Sequence, residues 1–294
     1  MGHELVRHWV RDNALTAGAI AHPHTYILMP WVSEFPSLWT ANMPFYQSQL
    51  KAARKIFGLG GKIWIEKMHE VRDGSIQSIV KDRVVHCNMG IASENFSMIK
   101  THFNPIGERQ ILHMSNLADY KGFDITCASL QGLDTLLHVA TNSIQTEPGL
   151  VEFQIGNSSY VFNYIGYVNN NDVEFNQWVT DNCDFYIHTG RMDAQATTIL
   201  ESCARGLVPL VTPESGFSSP HAIHLTHDPN ENRQIINKAL NLSETELLQR
   251  SQGVREQVRR EHNWQTIFNT IWQEIQLDLV ERSYSLTNSS IAAS

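Results

Sequence analysis

One segment near the middle of the chain restricts the choice of fold more than any other. Residues 183–188 are apolar and aromatic enough for a buried strand, and residues 189–195 form a loop after it. Residues 196–205 are predicted to form a helix that ends at Gly206, where a left-handed C-terminal cap is expected. Residues 207–212 are a second apolar run. This order predicts a βαβ unit, which places two parallel strands in one sheet.

The loop of this unit follows the carboxyl end of its first strand, which is the edge where open parallel sheets bind ligands. It leads into a helix N-terminus, whose free N–H groups and dipole favour an anion such as phosphate. Two carboxylates flank this point, Asp193 in the loop and Glu201 two turns into the helix. Taken alone, Asp193 is also explained as a helix cap and Glu201 as an exposed helical charge.

A second strand, loop and helix occur earlier in the chain. Residues 110–114 predict a buried strand, and the loop after it ends in Lys121-Gly122, with a helix through Leu130. A lysine before a glycine at a helix start is a weak signal by itself. It gains weight because the later loop of the same predicted sheet carries Asp193. Further predicted elements are strands 26–29, 83–86, 136–140, 162–168 and 221–226 and helices 172–180, 232–240, 243–260 and 263–280.

These residues resemble the nucleotide-sugar glycosyltransferases of the GT-B fold, of the retaining family 4 type. That family carries an acid, seven intervening residues, a glutamate, a glycine at the helix end and an apolar strand with a proline. Asp193, Glu201, Gly206 and Pro209 follow this pattern, and Lys121 matches the lysine of the family's Lys-Gly loop. The resemblance covers about residues 84–280.

The resemblance implies a role for each matching residue. Asp193 would contact the donor sugar and Lys121 would neutralise the donor diphosphate, so these two are the implied catalytic residues. Glu201 would hold the ribose hydroxyls. The other implied donor-binding residues are Gln195, Ala196 and Thr197 along the phosphates, Asn116 in the loop before Lys121, and Gly216 beside the sugar.

The resemblance also implies a reaction, the transfer of a hexose from a UDP- or GDP-sugar to a hydroxyl acceptor with retention of anomeric configuration. Metal is not needed, and no cofactor is implied beyond the nucleotide-sugar co-substrate. The acceptor stays open between a saccharide, a lipid and a protein. Departures from the family keep a second hypothesis open, a non-catalytic GT-B remnant that binds a nucleotide or a partner. These departures are aspartate rather than glutamate at Asp193, no arginine near Asn116, and no recognisable Gly-Gly loop after a first strand.

The implied fold is α/β, of GT-B type, with two Rossmann-like domains of which the N-terminal one is reduced. We predict an acceptor-side domain over residues 1–103 and a nucleotide-sugar-binding domain over residues 104–282. Residues 283–294 are rich in Ser, Asn and Ala, which predicts a disordered tail.

Charge is unevenly distributed along the chain. Residues 1–120 hold 12 basic and 10 acidic side chains, whereas residues 121–294 hold 10 and 20. The net charge of −8 without a basic stripe argues against nucleic acid as a partner. The asymmetry fits two domains with different ligands.

Residues 45–67 are the most basic part of the sequence. Residues 45–57 predict a helix that the Gly58–Gly61 cluster ends, and residues 62–68 predict a strand. Glycines in that order do not form a dinucleotide fingerprint, which requires a strand before and a helix after. The basic side chains either solvate a helix face or face an acidic acceptor or the headgroups of a membrane surface. They are Lys51, Arg54, Lys55, Lys62 and Lys67.

The remaining features concern the compartment. Cys87, Cys127, Cys183 and Cys203 are scattered, without metal-ligand spacing, which predicts buried reduced thiols. The fourteen histidines are dispersed as well, so we expect no metal site. The first residues lack the apolar core of a signal peptide, and the expected location is the cytoplasm.

Overall fold

The computed structural model describes residues 26–30, 53–61 and 83–291, with side chains to Ser283 except those of Ile27, Met29 and Pro30. The strands in these ranges are β1 (Tyr26–Pro30), β2 (Lys55–Leu59), β3 (Val84–Cys87), β4 (Gln110–Met114), β5 (Leu136–Ala140), β6 (Gly149–Ile155), β7 (Ser158–Gly166), β8 (Phe185–His188), β9 (Val208–Val211) and β10 (Ile223–His224). The helices are α1 (Phe123–Leu130), α2 (Val173–Asn182), α3 (Thr197–Arg205), α4 (Pro229–Leu240), α5 (Glu244–Glu261) and α6 (Trp264–Ile291).

The larger of two sheets contains the predicted βαβ unit. Its strand order is β10-β9-β8-β4-β5-β7-β6, and all neighbours are parallel except the β6–β7 pair. β4 and β5 have the predicted bounds, and β8, α3 and β9 lie inside theirs. The apolar runs predicted these strands correctly because both faces of each strand are buried. Ile187, Leu210 and Val211 are fully buried.

The hairpin of β6 and β7 was not predicted as such. Only the end of β7 was expected, whereas the strand begins at Ser158 and pairs antiparallel with β6. The signal was the two-residue connection Gly156-Asn157, since Gly-Asn between two strands is a typical hairpin turn. β6 alternates between half-buried and exposed residues, because it forms the edge of the sheet.

The smaller sheet has the order β1-β2-β3, with all strands parallel. The predicted helix over 45–57 is wrong at its end, because Lys55–Leu59 is the central strand of this sheet. Ile56 pairs with Ile27 on one side and Val84 on the other, and it is fully buried. A short apolar run does not distinguish a buried strand from a helix by periodicity. Residues 45–52 and the predicted strand 62–68 lie outside the described residues.

Helix α6 connects the two sheets. Asn263, just before it, forms a parallel bridge with Ile91, which follows β3. The ring of Trp264 lies so close to Gly90 that a Cβ atom there would be 2.7 Å from it. Further along the helix, Ile267 is buried in a cluster with Phe57 and Cys87. The last helix of the chain therefore covers the small sheet that contains the first described strand.

Ion pairs reinforce this packing. Asp278 of α6 accepts three hydrogen bonds from Arg54, with a shortest distance of 2.7 Å, and a fourth from the Tyr26 hydroxyl at 2.7 Å. Lys55 Nζ lies 2.6 Å from a Glu274 oxygen. Two of the five basic residues of the 45–67 region are thus paired with α6. The other three, Lys51, Lys62 and Lys67, lie outside the described residues.

Acid should loosen this packing in a way that depends on Asp278. The hydrogen bond from Arg54 is the main cause that holds the pKa of Asp278 below its ordinary value. A lowered folded-state pKa stabilises the protein above the unfolded value, about 3.9, and that contribution is lost as the pH falls further. We expect the midpoint of urea unfolding to drop less between pH 5 and about pH 3 in Asp278→Asn than in the wild type. An identical drop in both proteins would contradict this assignment.

The end of α6 corrects one prediction. The helix continues to Ile291, whereas a disordered tail was expected from residue 283. Residues 264–291 contain neither proline nor glycine, so nothing in that stretch terminates a helix. Residues 292–294 lie outside the described part of the chain.

One further prediction concerns the cysteines. All four cysteines are free and buried, as expected. None of the helices in the described ranges combines the length and apolarity needed to cross a bilayer.

Candidate functional site

The loop after β4 brings Lys121 to the edge of the large sheet. Residues Asp119–Lys121 form a 3-10 turn, and Gly122 follows in the left-handed conformation with φ of 68°. A Cβ atom at Gly122 would lie 1.9 Å from the carbonyl oxygen of Thr189, which follows β8. The Thr189 hydroxyl donates to the Gly122 carbonyl at 2.6 Å. This close contact, which only glycine permits, places Lys121 beside the loop of the βαβ unit.

The loop after β8 fixes Asp193 from several sides. Its backbone N–H donates to the Glu214 carbonyl at 2.8 Å, and its Oδ1 accepts from the Ala194 N–H at 3.0 Å. Its Oδ2 lies 2.5 Å from Lys121 Nζ and 3.1 Å from His188 Nε2. A carboxylate only accepts hydrogen bonds, so His188 carries its proton on Nε2.

This cluster is partly shielded from water. The Lys121 and Asp193 side chains are 15% and 12% exposed, and His188 is fully buried. Burial raises the pKa of Asp193, but the hydrogen bond from His188 and the charge of Lys121 outweigh it and hold the pKa below its ordinary value. Asp193 is therefore ionised at neutral pH, and Lys121 is a cation whose counter-ion is already in place.

The N-terminus of α3 lies immediately after this loop. Ala196 is the N-cap residue, and no side chain caps the helix there. Thr197, the first helical residue, is exposed. The first N–H groups of an α-helix have no partner within the helix. Ala196 and Thr197 thus lie at the start of α3, and their role along the donor phosphates stays a prediction.

Glu201 lies on α3 and has a polar neighbour that sequence analysis did not include. Its Oε2 accepts a hydrogen bond from the Asn170 side chain, from the loop before α2. Arg205, one helical turn further and fully buried, donates to the Asn170 carbonyl at 3.2 Å. Burial raises the pKa of Glu201, although the charge of Arg205 acts in the opposite direction. Glu201 is thus held by Asn170 rather than directed freely into solvent.

Gln195 has a different position from the one the sequence predicted. Its backbone N–H, expected at a phosphate, donates to the Ser215 carbonyl at 3.1 Å. Its side chain reaches the segment between the two sheets, where Oε1 accepts from the Met89 N–H at 2.6 Å. Nε2 donates to Asn88 Oδ1 at 2.9 Å. Among the described residues other than glycine, only Gln195 has a positive φ, 51°.

Gly216 packs against the same loop from the other side. It has φ of 75°, and a Cβ atom there would lie 2.6 Å from the Gln195 nitrogen. It also lines a cavity of about 450 Å³ between the two sheets. The opposite wall includes Gly60 and Gly61, whose N–H groups both donate to the Cys87 carbonyl at 2.9 Å.

Gly60-Gly61 corrects the prediction for the glycine cluster. The pair does not end a helix, because it follows the parallel strand β2 and lines a cavity with Gln195 and Gly216. A Gly-Gly turn is therefore present after a strand of the first sheet, but it follows β2 and not the first strand, directly after which the sequence has no Gly-Gly pair. The strand was missed, and with it the position of the turn.

The predicted site residues do not all meet. The structure brings Lys121 and Asp193 into direct contact, next to the start of α3. Asn116 lies in the same loop as Lys121, but it is exposed and its Oδ1 accepts from the Ala118 N–H at 3.4 Å. Sequence reasoning missed His188, although a histidine at the end of the strand before Asp193 was visible.

No protein-family model matches the sequence, and no curated protein matches it either. Solved structures do match. An E. coli trehalose-6-phosphate structure bound with UDP-2-fluoro glucose has a TM-score of 0.62 at 12% identity, over 91% of this chain and 77% of that one. The fold is of the GT-B type.

Two further structures agree. An α,α-trehalose-phosphate synthase (UDP-forming) from Burkholderia vietnamiensis has a TM-score of 0.61 at 11% identity, over 91% of this chain and 75% of that one. A sucrose-phosphate synthase from Thermosynechococcus elongatus has a TM-score of 0.59 at 11% identity, over 86% and 68%. These likenesses confirm the predicted GT-B fold.

Proposed function

We propose that this chain is a glycosyltransferase that transfers a hexose from a UDP- or GDP-sugar to a hydroxyl acceptor with retention of configuration. The observation that carries the proposal is the Lys121–Asp193 ion pair at the carboxyl edge of the sheet, beside the uncapped start of α3. A cation and free amides are what a leaving diphosphate needs, and a fixed carboxylate suits a sugar hydroxyl.

The lysine would act on the leaving group. In the free protein Lys121 is neutralised by Asp193, at 2.5 Å. A donor diphosphate brings negative charge, so Lys121 would bind a phosphate oxygen while the α3 amides at Ala196 and Thr197 bind others. These groups are in place before the reaction, and they stabilise the charge that develops as the sugar–phosphate bond breaks. This arrangement supports a reaction that needs no metal.

The two carboxylates would bind different parts of the donor. Asp193 is held by His188 and Ala194, so it presents a fixed acceptor to a sugar hydroxyl. Glu201 lies eight positions further along the chain, beside Asn170, and would accept from the ribose hydroxyls. Hydrogen bonds to ionised oxygen are stronger than neutral ones, which suits a residue that anchors the donor.

Two observations favour the enzyme over a non-catalytic remnant. The Gly60-Gly61 turn faces the cavity between the sheets, so the first sheet contributes to the cleft. The E. coli structure with the same fold is bound with UDP-2-fluoro glucose, a nucleotide sugar. The four buried thiols fit a reducing compartment, and we place the reaction in the cytoplasm. A transfer assay with a panel of UDP- and GDP-sugars and hydroxyl acceptors tests the proposal, and no product from any donor would overturn it.

Nucleoside diphosphates should stabilise the protein in the absence of metal. Binding to the native state alone adds about 2.7 kcal/mol at a hundredfold excess over the dissociation constant. We therefore expect UDP or GDP to raise the melting temperature in a buffer that contains EDTA. Lys121→Met should reduce the shift, because it removes the cation and retains the length of the side chain. If neither nucleotide shifts the transition at millimolar concentration, the donor-site assignment fails.

A further inference from the structure

The side chain of Gln195 joins the donor loop to the segment that connects the two sheets. Its Nε2 donates to Asn88 Oδ1 at 2.9 Å, and its Oε1 accepts from the Met89 N–H at 2.6 Å. It is only 7% exposed. Because one end accepts from a backbone N–H and the other donates to Asn88, an amide carried on two methylene groups fits this position.

The connecting segment is itself a junction of several parts. Met89 O lies 3.0 Å from His262 Nδ1, and the Ile91 N–H donates to the His262 carbonyl at 2.8 Å. His262 precedes α6, so the two chain crossings between the sheets are bonded to each other. Gly61 lies against the Gln195 amide, since a Cβ atom there would be 2.9 Å from Nε2. Gln195 therefore contacts the first crossing, at residues 88–91, and is linked through Met89 to the second crossing, at His262.

The backbone of Gln195 shows that this position is imposed. A side chain with positive φ is uncommon for residues other than glycine and asparagine. The loop adopts it while the Asp193 and Gln195 N–H groups donate to the Glu214 and Ser215 carbonyls, at 2.8 and 3.1 Å. Strained conformations persist where the surroundings hold them, and here they direct the side chain toward Asn88.

We propose that Gln195 is a latch between the donor loop and the inter-sheet crossing, and that it positions Asp193 for sugar transfer. Asp193 is two residues away on the same loop, with its carboxylate in the Lys121–His188 cluster. A movement that separates the sheets would displace residues 88 and 89. The hydrogen bonds of Gln195 would then displace the loop that carries Asp193. The positional role rests on the proposed function, whereas the latch itself does not.

The test compares three variants by hydrogen exchange and by transfer kinetics. Gln195→Gly keeps the left-handed backbone without strain and removes the latch. We expect exchange at the Met89 amide to accelerate about tenfold or more, as for loss of a buried hydrogen bond. The kcat for transfer should fall by a similar factor of about ten, while the affinity for plain UDP or GDP changes less than about threefold.

The conservative variant supplies the rescue. Gln195→Glu retains an acceptor for the Met89 N–H and gives up only the hydrogen bond that Nε2 donates to Asn88. Exchange at Met89 and kcat should then return to within about threefold of the wild type. Gln177→Ala, which removes an exposed glutamine bonded to Asp181 on α2, is the matched control and should change neither quantity.

The outcomes separate the latch from the function. If Gln195→Gly leaves Met89 as protected as in the wild type, the latch does not exist. If exchange accelerates and kcat stays constant, Gln195 has no positioning role. If the wild type transfers no sugar, the proposed function fails, and exchange alone still decides the latch. Should Gln195→Gly not fold, Gln195→Asn tolerates the positive φ and shortens the side chain by one methylene, which releases the Met89 N–H, and the same criteria apply.

Discussion

Gly122→Ala should destabilise the protein more than any other single-methyl addition at the site. The new Cβ atom would lie 1.9 Å from the Thr189 carbonyl oxygen, a backbone atom that cannot turn aside. The residue would also keep a φ of 68°, which is unfavourable for alanine. We expect the free energy of unfolding to fall by about 3–5 kcal/mol, measured by urea denaturation, because overlap and backbone strain combine.

A second glycine separates the two causes. Gly132 has φ of 80° and no atom within 4 Å of its missing Cβ. Gly132→Ala should therefore lose only the backbone term, about 1–2 kcal/mol. Equal losses in the two variants would mean that the contact with Thr189 is not as close as described. Because that contact also joins the two loops of the site, Gly122→Ala should weaken nucleoside diphosphate binding, and Gly132→Ala should not.

The second large effect concerns the two carboxylates. Substitution of Asp193 should reduce kcat, whereas substitution of Glu201 should reduce nucleotide affinity. Asp193→Asn should reduce kcat for transfer by about a hundredfold or more, since a fixed charge at the reacting sugar is lost. It should spare the affinity for plain UDP or GDP, or tighten it, because Lys121 loses its internal counter-ion. Glu201→Gln should instead weaken the binding of plain nucleoside diphosphates, since ribose is common to donor and product.

Isothermal titration and steady-state kinetics on both variants decide the assignment. Asp181→Asn is a suitable control, because that carboxylate lies on α2 and bonds only an exposed glutamine, Gln177, among its described contacts. Equal losses of affinity for plain UDP or GDP in Asp193→Asn and Glu201→Gln would contradict the separate roles.

The βαβ unit could be predicted because its sequence signals are local and agree. Two apolar runs enclose a helix that ends at Gly206, and parallel strands covered on both faces must be apolar throughout. Lys121 and Asp193 could be brought together by the same logic, since the carboxyl ends of neighbouring parallel strands share an edge. The mutual contact of the two residues, however, depends on Gly122 and Thr189, which are 67 positions apart.

Other features depend on partners that a local pattern does not reveal. β2 was taken for the end of a helix, because five residues of a central strand carry no periodicity of their own. The Gln195 side chain binds residues more than 100 positions away, so the sequence predicted only the role of its backbone. His188 reads as an ordinary strand residue, and only its distance of 3.1 Å from Asp193 identifies it as part of the site.

The packing of α6 has a consequence for the order in which the protein forms on the ribosome. N-terminal domains usually fold first, while the rest of the chain is still being made. Here the described side chains that cover Phe57 and Tyr26 include Ile267 and Asp278, which are synthesised more than 200 residues later. The small sheet therefore lacks this cover until α6 has been synthesised, when translation of the described chain is nearly complete.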